Sequence, residues 1–120
     1  MAAFQIALPK LEAEGIGVVS ASADSQADAE QEALELKLTF PLGYGLDALQ
    51  TAAAVGAFHG EAAPPRNRFI QATAFVLNAQ HKVVNAVYSS GAYGRLTWQE
   101  VLNLVRYLKA ARAPAAAPKA

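Results

Sequence analysis

The chain has 120 residues, which is enough for one domain and too few for two independent cores. Apolar residues make up 53% and charged residues 17%, a globular balance, but much of the apolar share is alanine and predicts a modest core. The formal net charge is zero and no basic stripe is present, which argues against nucleic acid or an anionic membrane as the main partner. The chain contains no cysteine, and this excludes disulfides, thiolate metal sites and cysteine nucleophiles.

Targeting and membrane signals are missing from this sequence. No apolar run approaches the ~20 residues that span a bilayer. The first residues lack the basic start of a secretory signal peptide. We therefore expect a cytoplasmic location and no membrane partner.

The first third of the chain predicts a helix, a strand and a second helix. Apolar residues recur through 3–14, with Pro9 inside the helix as a kink or a second start. The segment 16–22 is short, uncharged and β-branched, which is typical of a buried strand. Ser25 is placed to cap a helix that runs to about Leu38.

The middle of the chain predicts mainly loops and one short helix. Pro41 and two glycines favour a loop over 40–45. Asp47 is placed to cap an alanine-rich helix ending near Gly56 or His59. A second loop is predicted over 60–68.

The last third predicts a β-hairpin and a covering helix. Apolar strands at 73–77 and 83–88 flank the polar turn 78–82. Thr97 is placed to cap a final amphipathic helix, and the low-complexity tail 111–120 is predicted to be disordered. The residues predicted to lie in the core from this helix are Trp98, Val101, Leu104, Val105 and Leu108.

This order of elements predicts an α/β domain over residues 1–110, followed by the tail. A strand followed by helical crossovers, a hairpin and a last helix indicates a small mixed sheet with a C-terminal β-hairpin flanked by helices.

None of the usual chemical motifs is complete. The Gly43–Gly45 segment lacks a preceding strand and a third glycine, so a turn is favoured over a dinucleotide site. His59 and His81 have no ligand at metal-binding spacing, and we expect neither metal nor cofactor. For Tyr93 and Arg95, structural packing is favoured over binding of a small anion.

Three segments resemble the peroxiredoxin family, the alkyl hydroperoxide reductase and thiol-specific antioxidant proteins. They are LPKLEAEGIGVVSASADS, FPLGYGLD and ATAFVLNAQHKVVNAVYSSGAYGRL, and the resemblance covers about residues 4–109. It implies an incomplete thioredoxin-like fold of the redoxin type, whose first strand and half of whose first helix are missing.

The resemblance also shows where this chain departs from the family. The family's reactive cysteine would precede Met1, and we expect an in-frame cysteine upstream if the start is internal. The family arginine lies just ahead of the hairpin, where Arg68 is a candidate and a solvated loop charge is the favoured alternative. The family's cis-proline position falls on Ala72 or Thr73, where a cis bond is not expected.

Two functions from different classes follow from the resemblance. The first is an antioxidant oxidoreductase domain that is inactive as given, with a thioredoxin-type reductant only if a cysteine exists upstream. The second is a cysteine-free thioredoxin-like binding or assembly module. In either case the missing strand would lie between 16–22 and 73–77, leaving two unpaired edges. We expect the chain to cover them by forming a homodimer.

Overall fold

The fold is seen in a computed structural model that describes residues 1–61, 68–91 and 93–111. Within these residues, helices and short strands alternate before a hairpin and a final helix. The elements are α1 (Ala2–Ala13), β1 (Ser20–Ala21), α2 (Gln26–Glu35), β2 (Leu42–Gly43), α3 (Ala48–Val55), β3 (His59–Glu61), β4 (Arg68–Ile70), β5 (Thr73–Leu77), β6 (Val83–Tyr88) and α4 (Trp98–Ala111). The predicted α/β class is confirmed.

The helix caps form where the sequence predicts them. Ser25 Oγ accepts a hydrogen bond from the amide of Asp28 at 3.2 Å, and an Asp47 carboxylate oxygen accepts one from the Gln50 amide at 2.8 Å. Each bond satisfies an amide that has no partner inside the helix, which stabilises the helix by about 1 kcal/mol. Gly56 ends α3 with φ at 77°, a conformation in which a side chain would be strained.

In the described residues, the strands form three two-stranded sheets. β1 and β2 pair in parallel, β3 and β4 pair antiparallel, and β5 and β6 form the predicted antiparallel hairpin. The Asn78 side chain accepts hydrogen bonds from the amides of Gln80 and Lys82, and this fixes the turn. His81 lies there with φ at 63° and is exposed.

The core is small, as the composition predicts. Its central cluster lies where α1 crosses α4 and consists of Ala7, Leu11, Val101 and Leu102. Leu11 is fully buried, and Val18, Val76 and Trp98 pack against this cluster while remaining partly exposed. Four of the nine buried apolar residues of the described chain are alanines, and each alanine contributes little buried area.

Several predicted boundaries are wrong. The strand predicted at 16–22 is reduced to Ser20–Ala21, and α2 ends at Glu35, because the chain leaves the helical conformation at Lys37, where φ is 53°. The loop predicted at 40–45 contains β2, which exists because the backbone of β1 pairs with it. The loop predicted at 60–68 is bounded by β3 and β4, while residues 62–67 lie outside the described residues.

The helices also differ in detail from the prediction. α1 is a single helix through Pro9, without a second start. Its apolar Ile6 is 82% exposed, because the packed face of α1 contains Ala7, Leu8 and Leu11 instead. On α4, Leu102 is buried with Val101, while three residues predicted to be buried are only half-buried: Leu104, Val105 and Leu108.

Two further predictions concern the C-terminal tail and the absence of a membrane-spanning helix. Residues 112–120 of the predicted tail lie outside the described residues. In the described part, no helix has the length and apolar character to cross a membrane.

Candidate functional site

The start of β5 is the place where the sequence resemblance locates the surroundings of a family active site. The Gln71 amide donates to the Phe58 carbonyl at 2.9 Å, and the Ala72 carbonyl accepts from the Ser89 amide at 2.8 Å. Thr73 Oγ1 donates to the Gln71 carbonyl at 3.0 Å. The Thr73 hydroxyl therefore donates to its own chain rather than to a base that would activate it.

Ser89 follows β6 and braces the loop that leads to α4. Its residue is 3% exposed, and its Oγ donates to the carbonyl oxygen of Gly91 at 2.8 Å and also contacts that of Tyr93. A serine hydroxyl has one proton, which these two carbonyls share. Ser89 is therefore a structural residue, and no histidine is bonded to its Oγ among the described contacts.

A second polar link fixes the hairpin to α3. The Tyr88 hydroxyl donates to the Val55 carbonyl at 2.8 Å, at the end of α3 where backbone carbonyls lack helical partners. The Tyr88 ring also meets the Phe75 ring edge-on, with 5.7 Å between ring centroids. The hydrogen bond joins β6 to α3, and the ring contact joins β5 to β6.

The three residues assigned to the site by resemblance lie on neighbouring segments. Arg68 begins β4, where its backbone is in register with Glu61, and its side chain is outside the described part of the structure. Ala72 precedes β5 and Thr73 begins it, and both are half-buried. An active-site role for these residues stays a prediction.

The other candidate residues are dispersed. Tyr93 is 91% exposed, so the favoured interpretation that it packs in the structure is wrong. His59 and His81 are both exposed. Among the described residues, no group of three histidine, cysteine, aspartate or glutamate side chains could hold a metal ion.

One charged cluster ties the end of α1 to α4. Glu14 Oε1 accepts a hydrogen bond from Lys109 Nζ at 3.0 Å, and Oε2 accepts one from Arg106 Nε at 3.3 Å. The bond from Lys109, followed by that from Arg106, holds the pKa of Glu14 below its ordinary value of 4.5. This exposed cluster joins two helices and has the character of a structural contact.

Two strands have an edge without a partner strand in the described chain, and local sequence patterns do not indicate this feature. In the described chain, β1 is paired only with β2, and β5 is paired only with β6. The nearby apolar residues Val19, Phe75 and Leu77 are 78%, 38% and 50% exposed. Uncharged strands with apolar side chains at a free edge favour association with another strand.

The arrangement of the helices and strands defines a class of fold. Helices α1 and α4 pack together, and a parallel pair and an antiparallel hairpin lie beside them. This arrangement is similar to the thioredoxin-like fold of a peroxiredoxin.

A solved structure with this fold is the crystal structure of a cysteine-to-serine mutant of PrxQ, a peroxiredoxin from Xylella fastidiosa. It superimposes with a TM-score of 0.60 at 22% sequence identity and covers 89% of this chain. The present chain spans 63% of the length of that protein. A scan against protein-family models and a search of curated proteins find no match to this chain. The structural likeness therefore shows the fold.

Proposed function

We propose that this chain is the cysteine-free part of a peroxiredoxin-like antioxidant domain and that, as given, it has no thiol peroxidase activity. The observation that carries this proposal is the absence of cysteine from a chain with a peroxiredoxin-like fold. Peroxide reduction by this class needs a thiolate that attacks the O–O bond and becomes a sulfenic acid. Without a cysteine thiol, neither that step nor reduction by a second thiol is available.

The hydroxyl groups near the start of β5 do not replace the thiolate. Thr73 Oγ1 and Ser89 Oγ donate to backbone carbonyls, so their protons are not directed to a base. An unactivated hydroxyl is also a far weaker nucleophile than a thiolate at neutral pH. We therefore expect peroxide consumption, driven by dithiothreitol or by thioredoxin and its reductase, to equal the protein-free blank. A cysteine-containing peroxiredoxin is the positive control, and turnover proportional to the concentration of this chain would contradict the proposal.

The finer part of the proposal concerns the rest of the natural protein. If this chain belongs to a longer redoxin domain, the reading frame upstream should encode a short apolar strand and then a cysteine, roughly a dozen residues before Met1. In that case a thioredoxin-type protein is the expected reductant of the complete domain. An in-frame stop codon shortly upstream, or an unrelated sequence there, would contradict this.

A second candidate function is that of a binding or assembly module, and a specific observation favours it. The edges of β1 and β5 carry unpaired backbone groups in the described chain, together with exposed apolar side chains. Such edges are templates for another strand. This function requires no sulfur.

A further inference from the structure

We draw no further inference here: the strongest candidate, the apolar outer face of the hairpin formed by β5 and β6, on which Phe75, Leu77, Val83 and Tyr88 are exposed, carries none, because nothing in the structure shows what covers it.

Discussion

Leu11 provides the most direct test of how the domain is held together. It is the one fully buried large side chain in the described structure, at the centre of the cluster between α1 and α4. Leu11→Ala removes three buried carbon groups. Burial of each group stabilises the folded state by about 0.8 kcal/mol, so the three together contribute about 2.4 kcal/mol. The cavity left behind raises the expected loss to about 3–5 kcal/mol. Because domains of this size are stable by about 5–15 kcal/mol, this single change should remove a large part of the total.

Urea unfolding followed by tryptophan fluorescence measures this loss. Trp98 is the single tryptophan and packs against the same cluster, so its emission reports on the core. With a slope of about 2 kcal/mol per molar urea, a loss of 3 kcal/mol lowers the midpoint by about 1.5 M. The control is Leu34→Ala, at a position that is 78% exposed, where a change within about 0.5 kcal/mol is expected. A loss below about 1 kcal/mol for Leu11→Ala, or equal losses for the two variants, would refute this description of the core.

Two further predictions concern pH and association. Because the pKa of Glu14 is lowered in the folded chain, its contribution to stability is present above its ordinary pKa of 4.5 and is lost as pH falls through the folded value. Unfolding midpoints measured against pH should show this loss in the parent and not in Glu14→Gln, and identical profiles would contradict it. We also propose that the purified chain self-associates as a homodimer, because its free strand edges carry unpaired groups. Sedimentation at micromolar concentration should show a dimer or a larger species that Val19→Lys weakens, whereas a cooperatively melting monomer in the parent would contradict this proposal.

Features with local physical causes could be predicted from the sequence. The bonds at Ser25 and Asp47 join a side chain to an amide three residues later, so the pattern is visible within one turn of chain. The hairpin is equally local, since Asn78 supplies the oxygen that organises the turn between two apolar runs. For these elements the start positions agree with the structure to within a residue or two.

The short strands could not be predicted, because they depend on partners far along the chain. β2 has only two residues and follows Pro41, a composition that locally favours a loop. It counts as a strand because its Leu42 is in register with Ser20 of β1. Gly43 allows this approach, since a Cβ added there would lie 3.3 Å from that of Ala21. A pattern search within one window does not contain that information.

The sequence also did not predict which apolar residues are buried. In α1, Ile6 and Leu11 are both large aliphatic residues, yet Ile6 is 82% and Leu11 is 0% exposed. The difference arises from where α4 crosses α1, a tertiary contact that shifts the buried face of the helix. For the candidate site, the absence of cysteine is visible in the sequence. The hydrogen bonds of Ser89 could not be predicted, because they depend on the conformation of the loop after β6.

The contacts that hold β5 in place support the proposed binding function. The bonds from Ser89 to Ala72 and from Tyr88 to Val55 fix the ends of the hairpin without any sulfur. The Phe75 and Tyr88 rings pack on each other across the same pair of strands. A strand edge held rigid before its partner arrives loses little conformational entropy on binding, which raises affinity. The proposed binding function therefore has an ordered strand edge on which to act.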